Sequence, residues 1–419
     1  MDYKPRGLET KIAEYFEVFS VVSVIGPRQC GKSTLLEHYS KQSKSKWQYF
    51  NLDIRALRSK VEADPDLFVK DFDSNIIIDE AQKVPDLFHA LKSLVDKKFP
   101  HKILLSGSTN FLMLESISES MSGRVGILEM LPFSLSESLE ISSNDVVDKL
   151  INAKNVKKAF KELSKLEHIE EKEIFEFILK GGFPKVHELK SNKAIDTWFQ
   201  SYLTTYIDKD VRDIANISDL ESFQNVYKLL AYQSSNMLNF SNIAGDIGLD
   251  TKTIKKFFTI LEMTYHYKKL FSFRENFKAK ITKTPKLFST DTGMLNHLLS
   301  NFDKDEMLNS GHWSKILETW VFSELYKQVK NSSPKRDLYF YRTRNDSEVD
   351  FVIQEGKQLI PIEVKSGYQI KPMQLRSMKT FIDDYSAKFK VPFGVVFHRA
   401  DEVSSLAENI IGVPLTILS

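Results

Sequence analysis

Residues 26–34, Gly26-Pro27-Arg28-Gln29-Cys30-Gly31-Lys32-Ser33-Thr34, carry the densest chemistry in the chain. Two glycines separated by four residues and followed at once by Lys-Ser let a tight loop turn its backbone N–H groups toward phosphate oxygens. Lys32 then brings positive charge to the β- and γ-phosphates and Ser33 a hydroxyl to Mg²⁺, at the positive end of the helix that begins there. The apolar run SVVSVI before the loop and the helical pattern after it supply the required context, so ATP and Mg²⁺ are the expected ligands. A second apolar run, Asn75-Ile76-Ile77-Ile78-Asp79-Glu80, ends in paired acids that packing alone does not require. Asp79 suits the Mg²⁺ shell and Glu80 suits polarising the attacking water; the alternative is a solvated strand end. Ser108, closing KILLSGS, suits sensing the γ-phosphate or placing that water. Arg124, in MSGRVGI, is either a surface arginine or one that stabilises transition-state charge on a neighbouring subunit's nucleotide, which makes a homo-oligomer an expected partner.

Near the C-terminus, SEVDFVIQEGKQLIPIEVKSG (Ser347–Gly367) sets Asp350, Glu363 and Lys365 into two strongly apolar runs. Strands over Val349–Gln354 and Leu359–Lys365, joined by a two-residue Gly356-Lys357 loop, make a tight antiparallel hairpin. That register sets Asp350 opposite Glu363 and Glu348 opposite Lys365. By the two-residue alternation of a strand these four share one face, with Val349, Phe351, Ile362 and Val364 on the other. Opposed carboxylates stand roughly 5 Å apart at Cβ and repel. Mg²⁺ held between Asp350 and Glu363 removes that penalty. Lys365 beside them can orient a water or offset charge on a scissile phosphate, the parts of a metal-dependent phosphodiesterase. A cross-strand ion pair between Glu348 and Lys365 on a solvated face is the alternative.

Residues 1–131 alternate helical and strand patterns, which predicts a parallel sheet with crossover helices. Residues 132–215 read as a helical connector, interrupted at Gly181–Pro184 by GGFP, a turn acting as hinge or cap. Over 216–290, three helices and a basic hairpin predict a winged helix. Lys252, Lys255 and Lys256 near one face of its last helix are candidate DNA-phosphate contacts, with Arg274, Lys278, Lys280 and Lys283 on the wing; a rigid packing module is the other reading. Residues 291–419 form an α/β unit of their own.

A chain of 419 residues with 42% hydrophobic content can bury several cores. Its net charge of +2 excludes a uniform basic field, so nucleic-acid binding must rest on local patches. The lone Cys30 excludes an internal disulfide framework and fits a reducing cytosol. The polar N-terminus and the lack of a long apolar stretch predict a cytoplasmic protein without a membrane partner.

GPRQCGKST, IIIDEAQ, LLSGSTNFLML, SGRVGILEMLPFSLSE, GGFPKV, YLTTYIDKDVRDI and PKLFSTDTGML together resemble the AAA-type ATPases, in particular the prokaryotic group that joins such an ATPase to a C-terminal domain of formerly unknown function. The resemblance implies that the strand ending at Ser108 lies between the loop strand and the acid-pair strand. The C-terminal segment, about 291–419, resembles the PD-(D/E)XK nucleases: Asp350 and Glu363-Val364-Lys365 fit their strand motif, and Glu318, in KILETWVFSEL, fits their helical acid. The proline of that motif is missing before Asp350. Arg342 and Arg344 are then candidate phosphate contacts and Gln374 a candidate assistant, each with an ordinary surface reading. The expected fold class is α/β: a P-loop AAA-type parallel sheet with helical lid, a winged-helix middle domain and a restriction-endonuclease-like α/β domain. The function expected is ATP hydrolysis coupled to action on DNA, with a Mg²⁺-dependent nuclease site; the alternative is a non-nucleolytic ATP-dependent switch.

Overall fold

In the computed structural model the described residues are 3–107, 119, 121–207, 211, 219–275, 284–343 and 347–419. The chain divides into two compact units, one of Met1–Phe133 with Met263–Tyr265 and one of Ser134–Glu262 with His266–Ser419.

The first unit is built on β1 (Val21–Ile25), β2 (Trp47–Asn51), β3 (Asn75–Asp79), β4 (Ile103–Gly107) and β5 (Val125–Glu129). They form one sheet in the order β2-β3-β4-β1-β5, every pair parallel. β1, β3 and β4 are buried at every position, which is why they read as largely apolar runs: helices cover both faces of a parallel sheet. β4 lies between β1 and β3, the order the resemblance implies. The sequence reading did not name β5, whose alternate positions are only half-buried. Parallel strands of one sheet end at the same edge, so the loop after β1, the acids after β3 and the serine near the end of β4 meet there.

The second unit opens with helices, among them Glu171–Lys180 and Asn192–Tyr206. The GGFP turn is a packed junction rather than a hinge. Asp291 caps the helix Thr292–Leu298 by accepting the Met294 N–H at 2.8 Å and also accepts the Gly182 N–H at 2.7 Å. A Cβ on Gly181 would stand 2.3 Å from Asp291 Oδ1, and one on Gly293 would stand 2.0 Å from the Lys180 carbonyl oxygen. Only glycine lets these two backbones meet.

Helices Leu220–Tyr232, Phe240–Ile247 and Thr251–Met263 follow, then an antiparallel pair, β6 (Tyr267–Leu270) and β7 (Lys286–Ser289). The remaining strands are β8 (Asp337–Arg342), β9 (Glu348–Glu355), β10 (Gln358–Val364), β11 (Gly394–His398), β12 (Ser404–Ala407) and β13 (Ile410–Pro414). They build a mixed sheet in the order β12-β13-β11-β10-β9-β8. The sequence reading did not name β12 or β13. One sheet face, with Phe351, Ile353 and Ile362, packs with the helix Trp313–Lys330 in a large core. The other, with Val349, Val352 and Leu359, packs with the helix Arg376–Tyr385. Among the described residues no helix is long and apolar enough to cross a membrane.

Candidate functional site

The loop after β1 is held from both sides. Gly31 adopts the left-handed region at φ 97° and Gln29 does so at φ 58°. Gly26 meets the Met130 carbonyl so closely that a Cβ would lie 2.0 Å from its oxygen. From outside, Arg6 donates to the Cys30 carbonyl at 3.0 Å and the Leu131 carbonyl at 2.6 Å. Lys32 is buried, and its Nζ donates to the Gly26 and Pro27 carbonyls at 3.0 and 2.7 Å. No side chain caps the helix Lys32–Gln42, which leaves its leading N–H groups to an anion. Pro27 and Cys30 are buried, Arg28 and Ser33 half-buried, and Gln29 and Thr34 exposed.

Asp79, ending β3, is 1% exposed and carries a hydroxyl on each oxygen. Tyr49 of β2 donates to Oδ2 at 2.6 Å, and Ser106 of β4 donates to Oδ1. Ser106 also accepts the Glu80 N–H at 3.3 Å. Glu80 sits in the left-handed region at φ 57°, costly for a glutamate and typical of residues held for a purpose. Its carboxylate accepts from Gln82 at 2.6 Å. Burial, and then Asp79 beside it, raise the Tyr49 phenol far above its ordinary value, so it stays a donor. A hard-oxygen pair, the Ser33 hydroxyl and the Asp79 carboxylate, fits Mg²⁺. Sequence reasoning chose Ser108, which lies outside the described residues, and missed Ser106, two positions earlier on the same strand. Tyr49 carries no sequence signal.

In the second unit the hairpin register is the expected one: Gln358 pairs Glu355 and so on to Ile362 with Phe351. The positive φ of 57° at Gly356 alone fits the two-residue turn. Beyond Phe351 the expectation fails. Against β8, Tyr339 pairs Val352 while Tyr341 pairs Val349, so β9 carries one extra residue, a bulge at Asp350–Phe351. Val349 and Phe351 therefore enter different cores instead of sharing a face. Asp350 does not continue the ladder opposite Glu363; its Oδ2 accepts the Val364 N–H at 2.8 Å.

Lys365 Nζ lies 2.7 Å from Glu363 Oε2, not paired with Glu348. Glu348 instead meets Lys286 of β7 at 2.5 Å, and Lys286 also meets Glu318 at 2.9 Å and lies 3.9 Å from Asp350. Lys286 is 3% exposed. Burial alone would lower its ammonium, but Glu318, Asp350 and Glu348 outweigh burial and raise it. Burial pushes Glu363 up to about 7, Lys365 pulling it back and Asp350 adding to the rise. Glu363 Oε1 is buried without a hydrogen-bond partner. One orphaned oxygen invites a cation, yet among the described residues no three His, Cys, Asp or Glu side chains are grouped to hold a metal. As arranged, the acids fit the Lys286 ammonium rather than Mg²⁺.

The other candidates separate. Arg124 pairs with Asp96 of its own unit at 2.6 Å. Lys252, Lys255 and Lys256 are exposed on the helix Thr251–Met263. Arg274 donates to the Arg342 carbonyl, and Arg342 lies 3.6 Å from Glu348. Gln374 accepts the Lys371 N–H at 2.8 Å, a local cap. Lys278, Lys280, Lys283 and Arg344 lie outside the described residues.

Three families match successive segments: an AAA domain over residues 18–139, a domain of unknown function (DUF8612) over 171–305 and a domain of unknown function (DUF4143) over 313–418. An uncharacterized protein of Mycobacterium tuberculosis is 23% identical over 395 residues, 94% of this chain and 80% of that protein. An uncharacterized protein of Methanocaldococcus jannaschii is 28% identical over 323 residues, 74% of this chain and 65% of that one. Among solved structures, a Walker-type ATPase of Pyrococcus abyssi aligns with a TM-score of 0.45 and 15% identity, over 71% of this chain and 96% of that one. The Thermotoga maritima RuvB Holliday junction branch migration motor aligns with a TM-score of 0.30 and 14% identity, over 62% and 86%. By its loop, its sheet and the AAA-domain match, the N-terminal unit is similar to the P-loop ATPases.

Proposed function

We propose that the chain hydrolyses ATP and uses the nucleotide state to govern how its second unit engages DNA. The observation that carries the ATPase reading is the meeting, at one sheet edge, of an uncapped helix start with Lys32 in its loop and the Asp79-Glu80 pair. Backbone N–H groups of the loop and Lys32 would bind the phosphates, turning from the Gly26 and Pro27 carbonyls that Lys32 now satisfies. Ser33 and Asp79 would hold Mg²⁺, which offsets charge on the transferring phosphoryl group. Glu80 would take the proton of the attacking water, with Gln82 and the Ser106 hydroxyl fixing its place. Arg124 would act on a neighbouring copy only after leaving Asp96.

The second unit would bind DNA phosphates through the exposed Lys252, Lys255 and Lys256 of a winged-helix-like module. For its nuclease-like sheet, Lys286 among the acids favours binding without cleavage. A second reading, cleavage at Asp350, Glu363 and Lys365, is favoured by the orphaned Glu363 oxygen and by the bond of Asp350 to the Val364 N–H beside it. Plasmid DNA incubated with Mg²⁺, with and without ATP, separates them when wild type is compared with Asp350→Ala and Lys32→Ala. The expected result is an ATP-dependent mobility shift, lost in Lys32→Ala, with the plasmid intact. Nicking by wild type that disappears in Asp350→Ala selects the nuclease, and no shift under any condition sinks the DNA reading.

A further inference from the structure

The strand order sets β3 between β2 and β4, and each neighbour sends one hydroxyl to the acid at the end of β3. Asn51 is the register partner of Asp79 and Tyr49 that of Ile77, so Tyr49 reaches forward along its strand to Oδ2 at 2.6 Å. Its ring packs against the core formed by Val22, Leu35 and Ile77, which fixes where the hydroxyl can go. The phenol thus holds one oxygen of the carboxylate that would bind the cation, and Ser106 takes the other. A carboxylate has about four acceptor positions, so two hydroxyls leave capacity on both oxygens.

We propose that Tyr49 is a positioning residue for the cation that accompanies the nucleotide, fixing the Asp79 carboxylate in the orientation a small hard cation demands. The inference rests on the ATPase reading. Groups that orient metal ligands change metal affinity by about 10–100-fold when removed, without touching the phosphate contacts of the loop.

The test is a fluorescence titration of the full chain with mant-ADP, in EDTA and across a series of Mg²⁺ concentrations. Tyr49→Phe keeps the ring and should melt near wild type in EDTA. It is expected to bind mant-ADP as wild type does in EDTA, while the Mg²⁺ concentration needed for half the cation-dependent gain rises about 10-fold or more. The spectrum of bound Mn²⁺ should broaden in parallel. An unchanged or lowered Mg²⁺ requirement overturns the inference, and so does an equal loss of affinity with and without cation, which marks a purely structural role. Wild type that binds no mant-ADP, like Lys32→Ala, overturns the ATPase reading beneath it, a different result from either.

Discussion

Glu363 is a carboxylate whose charge burial in the second unit opposes. Its ordinary value of 4.5 rises to about 7 because burial opposes ionisation more than Lys365 favours it. Glu318 is raised in the same direction by burial and by Asp350, against the pull of Lys286. Since the folded value lies above the unfolded one, the folded chain holds protons that the unfolded chain has released between those values. The stability this provides is full below about pH 4.5 and lost as pH rises through about 7. Glu363→Gln, neutral at every pH, should therefore match wild type in thermal melts near pH 5 and exceed it near pH 8. The gap is at most on the order of 3 kcal/mol, and one that stays flat across this range contradicts the assignment. Lys32, Asp79, Glu363 and Lys365 were legible in the sequence because each sits in a short local pattern. Tyr49, Ser106 and Lys286 were not, because their partners lie 30, 27 and 32 residues away and only the folded sheets bring them together.

At the scale of elements, β7 contributes an ion to a site otherwise made by the helix Trp313–Lys330 and β9. Every position of β7 is buried, so Lys286 stays charged there only with its acids. Lys286→Met leaves Glu318 without its cation and Glu348 with only Arg342, and urea unfolding should show a loss of about 3–5 kcal/mol. Adding Glu318→Gln should return part of it, since one stranded charge is gone. A loss below about 1 kcal/mol would mean that the cluster is solvated and the pairing incidental. Hairpin register followed from loop length and Gly356, both written in the sequence. The β9 bulge was not legible, because an inserted residue leaves no composition signal and shows only against its β8 partner. The GGFP glycines were visible as punctuation, but their reason, the contact of Gly181 and Gly182 with Asp291 and of Gly181 with the Gly293 backbone, is tertiary.

For the whole molecule, the parallel sheet of the first unit was legible because its buried strands are mostly apolar, while β5 is half-buried at alternate positions, β12 is short and partly exposed, and the buried β13 is broken in pattern by Gly412 and Pro414. The proposed nucleotide hydrolysis rests on the loop, the acids and the sheet order, and what the second unit does with it follows only if hydrolysis occurs. Phosphate release from Mg²⁺-ATP by the full chain, comparing wild type with Lys32→Ala and Glu80→Gln, bears on this directly. Wild type should turn over, and Lys32→Ala should lose both nucleotide binding and turnover. Glu80→Gln should keep binding while its turnover falls by about 100-fold or more. Turnover in Lys32→Ala equal to that of wild type, or a wild type that binds nucleotide without hydrolysing it, would contradict the account.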